Sequence, residues 1–165
     1  MYTSSYNPVH TVWCRSMRIA VGSDDAYSIA RFIYEYVRSK GYDVIAIGAL
    51  KTGKPESWAR VGFEVARCIA DRIADTGILL CYTGTGVCIA ANKVRGVRAA
   101  LVFDATTARY ARLWNDANIL VLSARLVSEE VAREIVDAWL SIDKPDPSES
   151  ENIMLLDRLD IDRCL

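Results

Sequence analysis

Five short runs along the chain are almost wholly apolar, at residues 18–22, 43–47, 77–81, 98–102 and 119–122, and runs that short and continuous predict strands rather than one face of a helix. Strands of this kind are buried on both sides, as in a parallel sheet. Between them apolar residues return every third or fourth position, which predicts helices over 26–40, 57–74, 86–94, 106–115 and 128–140. In the first, Ile29, Phe32, Ile33, Tyr36 and Val37 form one core-facing stripe. Gly41 follows that helix as a C-cap signal, and Ser128 ahead of Glu129 and Glu130 puts a cap and two acids at the positive end of another. The alternation predicts an α/β protein: a three-layer α/β/α, Rossmann-like fold around a five-stranded parallel sheet. One domain over residues 17–143 accounts for it. Residues 144–150, KPDPSES, read as a linker because two prolines and a polar run oppose regular structure, and the tail beyond, 153–165, is apolar enough to dock on a partner subunit.

Composition narrows the classes of function. Twenty basic and 21 acidic residues leave a net charge of −1, so nothing in the balance calls for nucleic acid or an acidic membrane surface. Cys14, Cys68, Cys81, Cys88 and Cys164 are odd in number, lack any CxxC spacing and share the chain with one histidine, His10. That argues against a zinc site and a disulfide framework and for a reducing cytoplasm. No apolar run has the length of a membrane span, and residues 1–16 lack the order of a signal peptide. Met17 stands directly before the first strand, so residues 1–16 read as an N-terminal extension, or as untranslated should Met17 be the true start.

The segment ILLCYTGTGVCIAANK, residues 78–93, carries the candidate chemistry. It reads as a buried strand ending in Cys81, a loop broken by Gly84 and Gly86, and a new helix. Residues without a Cβ let such a loop turn tightly and aim backbone N–H groups inward, where a sugar phosphate or an enediolate oxygen fits. The plainer alternative is a strand-to-helix turn with Cys81 as a small buried hydrophobe. In an open parallel sheet the loops after the strands gather at one edge. That brings together Ser23 to Asp25, Cys81 to Gly86, Phe103 to Thr107 and the connection over 48–57.

The blocks RIAVGSDDA (18–26), GILLCYTGTG (77–86), IAANKVRGVRAAL (89–101) and DATTARYARLWNDANILVLSARLV (104–127) occur in this order. Over roughly residues 17–140 the chain resembles the family of type B ribose-5-phosphate isomerases and galactose-6-phosphate isomerase subunits. The resemblance implies an aldose–ketose isomerase without a cofactor, acting on a sugar phosphate as a homodimer or tetramer, with a heteromer as the alternative assembly. It implies Cys81 as the base, its thiolate favoured by a helix N-terminus and a nearby arginine, with Thr83 beside it. Gly84, Thr85 and Gly86 then complete the loop that holds the enediolate oxygens, with Asn92 and Lys93 in register behind it. Asp24 matches the aspartate of an SDHAG motif and is a candidate for ring opening or hydroxyl contacts; as an acid before a helix it is equally a candidate N-cap. Arg112 and Asn115 match the arginine and asparagine of an AREHN block and Arg158 falls where the family's tail supplies arginines, so all three are candidate substrate ligands. Each arginine could equally be a solvated residue on a helix face.

Departures cluster in the same places. Asp25 stands where the motif has histidine and Tyr27 where it has glycine; Tyr82 replaces a glycine and would narrow the pocket or demand an unusual backbone angle. Phe103 replaces the histidine before Asp104, Leu113 and Trp114 replace the EH of AREHN, and residues 58–61 replace a YPDY segment. With these histidines gone, a ring-closed substrate needs another acid–base pair or must arrive open-chain, and exchanging a cation for Asp25 favours a smaller or less charged sugar, or a different phosphate grip. A non-catalytic or heteromeric sugar-phosphate-binding subunit is the competing reading.

Overall fold

The computed structural model describes residues 16–162. The elements run β1 (Arg18–Ser23), α1 (Ser28–Ser39), β2 (Asp43–Gly48), α2 (Ala49–Thr52), α3 (Trp58–Ala70), β3 (Thr76–Cys81), α4 (Thr85–Ala91), β4 (Ala99–Leu101), α5 (Ala105–Asn115), β5 (Ile119–Ser123), α6 (Glu129–Leu140) and α7 (Ser150–Asp162). All strand pairings are parallel, in the order β2-β1-β3-β5-β4. The expected α/β fold with five parallel strands is present. The N-terminal extension through residue 15 lies outside the described residues.

Strand geometry alternates side chains between faces and so sorts the core into two layers. Ile19, Val21, Ile78, Leu80, Leu120 and Leu122 meet α1, α5 and α6 on one face. Ala20, Leu79, Cys81, Ile119 and Val121 meet α3 and α4 on the other. Cys81 therefore projects into the α3/α4 layer. Gly41 ends α1 at φ 89°, and the Ser128 hydroxyl accepts from the Val131 amide, as the sequence signals require.

Two expectations change. Residues 48–57 are not a plain connection but contain α2, and the Glu56 amide donates to the Asp24 carbonyl at 2.8 Å, fastening this stretch to the end of β1. The segment 144–150 is only partly a linker. Asp146 caps a 3-10 turn over Pro147–Glu149 through the Ser148 amide, and α7 continues from it. Proline is well suited to a first helical turn, where its missing N–H has no intrahelical partner to lose.

Candidate active site

The end of β1 and the end of β3 are neighbours. In their pairing Ser23 lies opposite Leu80, so the next residues, Asp24 and Cys81, emerge side by side at the sheet's C-terminal edge. This is where the order departs in opposite directions, toward β2 from β1 and toward β5 from β3. Such a point leaves a crevice between the diverging loops. The Ser23 hydroxyl donates to the Asp25 carbonyl at 2.7 Å and fixes the first loop. The second is held by the Ser123 hydroxyl and the Arg125 amide, both donating to the Tyr82 carbonyl at 2.9 and 3.1 Å.

Gly84 is required by its backbone. Its φ is +81°, and a Cβ there would stand 2.6 Å from Leu101 Cδ1. Gly86 is required by a neighbour: its Cβ would meet the Trp58 ring at 2.9 Å. The Thr83 and Thr85 hydroxyls pair with each other at 2.8 Å. Tyr82 needs no unusual angle, being absent from the non-glycine residues with positive φ, and the residue is 56% exposed.

The Cys81 thiol lies in hydrogen-bonding reach of the Asp24 carboxyl, and the Thr83 and Gly84 amides point at the sulfur. Burial, with the residue 7% exposed, pushes the thiol up, and the adjoining Asp24 adds to this; the two amides oppose it. The expected lowering by a helix end and an arginine is thus corrected. Burial also raises the Asp24 carboxyl, with Asp25 adding a like charge, although the thiol pulls the other way. Asp24 Oδ1 is buried and has no hydrogen-bond partner. It does not cap α1, whose N-cap is Tyr27, without a side-chain cap bond. A buried acceptor with nothing to accept from is costly to a fold and valuable to a ligand that brings a donor.

The sign of these shifts gives a prediction. A carboxyl raised by folding stabilises the native state while protonated and loses that contribution as pH rises through its raised value. Asp24→Asn should therefore raise the melting temperature at pH 7 by about 2–4 °C, with the gain shrinking in acid, for a change of about 1 kcal/mol. Because Asp24 raises the thiol, the same variant should speed iodoacetamide labelling of Cys81 at pH 8 by about 3- to 10-fold against a Cys81→Ala background. Unchanged labelling would mean that the two groups do not interact.

The other expected ligands lie elsewhere in the chain. Phe103 to Thr107 follow β4, two strands from Cys81 with the end of β5 between, roughly 10 Å at standard strand spacing. Asp104 is a helix cap there, accepting from the Thr107 amide and hydroxyl, both at 2.7 Å, which holds its carboxyl below the ordinary range. Asn92 is structural, exchanging two bonds of 2.9 Å with Ala99 to tie α4 to β4. Arg112, Asn115 and Arg158 are not brought to Cys81. α5 runs back along the sheet, and its 11 residues carry Arg112 and Asn115 to the opposite edge. There Arg112 donates to the Ala117 and Ile142 carbonyls at 2.7 and 3.1 Å and lies over the Trp139 ring. Arg158 is exposed on α7, which is anchored at that same edge by Asp157 to Arg98 and Asp160 to the Gly96 amide. Leu156 and Leu159 of α7 share a cleft there of about 410 Å³ with Asn115 and Arg98.

Two residues outside the expected site belong beside it. Trp58 covers Gly86 from the start of α3, and the Tyr27 phenol at the start of α1 is pushed up to about 12 by burial and by the charges of Asp24, Cys81 and Asp25. An aromatic residue at an N-cap, where small polar residues are preferred, is the signal that could have singled out Tyr27.

A thiol and a carboxyl meet at the switch point of an open parallel sheet, beside inward amides, and form the candidate site. The chain belongs to the Ribose/Galactose Isomerase family, whose model matches residues 19–154. It is 40% identical over 125 residues to the D-erythrulose-4-phosphate isomerase of Pectobacterium atrosepticum, covering 75% of this chain and 82% of that one. Ribose-5-phosphate isomerase B of Clostridium thermocellum superposes with a TM-score of 0.83 at 34% identity, over 89% of this chain and 99% of that one. The Mycoplasma genitalium ribose-5-phosphate isomerase B with bound ribulose-5-phosphate superposes with a TM-score of 0.78 at 33% identity, over 88% and 97% of the two chains.

Proposed function

We propose that this protein is a sugar-phosphate aldose–ketose isomerase, interconverting ribose 5-phosphate with ribulose 5-phosphate or a related four-carbon pair. The reading is carried by the Cys81–Asp24 pair with its unpartnered Oδ1. An aldose–ketose isomerase needs a base at the carbon-bound proton, donors to the oxygens of the enediolate, and an anchor for the remaining hydroxyls. Cys81 takes the proton once its own has left, the amides around Thr83, Gly84, Thr85 and Gly86 face the developing oxyanion, and Asp24 Oδ1 accepts from a substrate hydroxyl. Asp25 and Tyr82 flank the entrance. Because a base must be deprotonated, a raised thiol places the rising limb of kcat/KM in the alkaline range.

The phosphate end is completed by a second copy. Asn115 and Arg158 sit on the edge opposite Cys81, so they serve a site only where another chain lays that edge, with its α7, over this cleft. A homodimer is the smallest assembly that does so reciprocally. The cytoplasm and pentose phosphate metabolism are the corresponding setting.

A panel of four-, five- and six-carbon sugar phosphates tests the activity. At least one should be interconverted, with a sedimentation mass of twice the single chain. Failure of every sugar, with one of them raising the melting temperature, would replace the enzyme by a binding subunit.

A further inference from the structure

α4 follows β3 directly and α3 follows β2 through α2, so both helices begin at the ligand edge of the sheet. Further in they approach closely: a Cβ on Gly62 would meet the Val87 carbonyl at 2.8 Å and the Ala90 Cβ at 2.9 Å. Val61 and Val87 are wholly buried in the core layer that also holds Cys81. Trp58 lies one turn before Val61 on α3, and Gly86 one residue before Val87 on α4. The indole rests on Gly86 between the two helix ends, on the same side of the sheet as the sulfur.

Its segment is tied down on both flanks of Cys81. On the β1 side, the Glu56 amide, two residues before Trp58, donates to the Asp24 carbonyl at 2.8 Å. On the α4 side, the six-membered part of the indole occupies the space that a Cβ on Gly86 would need, with Cε3 at 2.9 Å and Cδ2 at 3.0 Å from that position. Residues 56–58 thus reach from Asp24 to the first turn of α4. Trp58 is 48% exposed, so a broad apolar face is left at the ligand edge, while Cys81 is only 7% exposed and admits no more than a slender part of a ligand.

Resting on the isomerase reading above, we propose that Trp58 is the specificity-determining wall of the Cys81 cleft and restricts the substrate to sugar phosphates that stay open-chain, favouring four-carbon 4-phosphates over five-carbon 5-phosphates. A four-carbon aldose esterified at O4 has no hydroxyl left that could close a five- or six-membered ring. It therefore arrives as an extended chain, with C1 and C2 free to reach the sulfur and its C–H face free to lie on the indole. Ribose 5-phosphate keeps O4 free and closes to a furanose, which is wider than the chain and has no carbonyl until it is opened.

The wall is stiff. An indole seated between two helices that touch one turn further in yields only if α3 or α4 moves, and close-packed interiors resist such shifts. Opening a furanose also takes an acid and a base of its own. Asp24 and Cys81 are hydrogen-bond partners of each other, the Thr83 and Thr85 hydroxyls engage each other, and residues 16–162 contain no histidine. A substrate that needs no opening makes no demand on groups so committed.

Erythrose 4-phosphate and ribose 5-phosphate, assayed side by side, test this. Wild type should favour the four-carbon sugar by about 10- to 200-fold in kcat/KM. Trp58→Ala should narrow that ratio by about 10-fold or more by raising the value for ribose 5-phosphate, and Trp58→Phe, which keeps a ring over Gly86, should narrow it by about 3-fold. A tryptophan that served packing alone would leave the ratio unmoved while both values fell together, and that result overturns the proposal. A wild type that prefers ribose 5-phosphate also overturns it and leaves the isomerase reading standing; a wild type inactive on every sugar sinks both. A further measurement needs no variant. As wild-type enzyme is increased, ribose 5-phosphate conversion should level off at the spontaneous rate of ring opening while erythrose 4-phosphate conversion keeps rising. Ribose 5-phosphate conversion that stays proportional to enzyme would mean that the closed ring enters the cleft, contrary to the proposal.

Discussion

Cys81→Ala is expected to lower kcat for the preferred sugar phosphate by about 1,000-fold or more, with the melting temperature within a few degrees of wild type. The sulfur is buried in the α3/α4 layer, and the truncation removes a single heavy atom together with the thiol's hydrogen bond to the Asp24 carboxyl. The expected stability change is therefore a loss of about 1 kcal/mol. Cys81→Ser separates chemistry from packing. It restores most of the volume and a hydrogen-bond donor, but a serine hydroxyl is far too weak an acid to yield an anion at the same place, so activity should stay lost. A serine variant with substantial activity, or an alanine variant with all of it, would reduce Cys81 to a small apolar strand end.

Arg112→Ala should act in the opposite sense, on stability and not on substrate binding. Arg112 joins the ends of α5 and α6 by donating to the Ala117 and Ile142 carbonyls, and its guanidinium lies 5.3 Å from the centre of the Trp139 ring, the largest fully buried side chain. Burial lowers its pKa, with Asp116 working against that shift. Removing the side chain strands two carbonyls and opens space over Trp139, for a loss of about 2–4 kcal/mol, or about 6–12 °C in melting temperature. KM should stay within about twofold. A large rise in KM without loss of stability would restore the phosphate-ligand role that the AREHN resemblance implies.

These two residues show how far a local sequence signal reaches. The Cys81 loop was legible because its signal is local: a thiol and two glycines within six residues at the end of an apolar run, with +81° at Gly84 enforcing the turn. Asp24 was legible as a candidate, but that it leaves α1 uncapped and meets the Cys81 thiol, 57 positions away, emerged only in the fold. Arg112 and Asn115 follow their motif in the chain, yet a helix that returns along the sheet carries its last turn to the far edge, and the motif says nothing about which copy's cleft that edge meets. Tyr27 looked like a departure in a glycine position. In the structure it is the N-cap residue of α1, half-buried against the core beneath that helix. Pro147 was misread because the same residue that breaks a helix interior suits its first turn.

The pattern of the chain alone determined the layers, the parallel sheet and the loop chemistry, since side-chain period, missing Cβ atoms and cap residues act over a few positions. The strand order was decided by tertiary structure alone, and with it the meeting of Asp24 and Cys81, the orphaned Oδ1 and the exile of Arg112, Asn115 and Arg158. Burial and like charge raise a thiol or a phenol only through groups distant in sequence, so the protonation states of the site exist only once the sheet has closed.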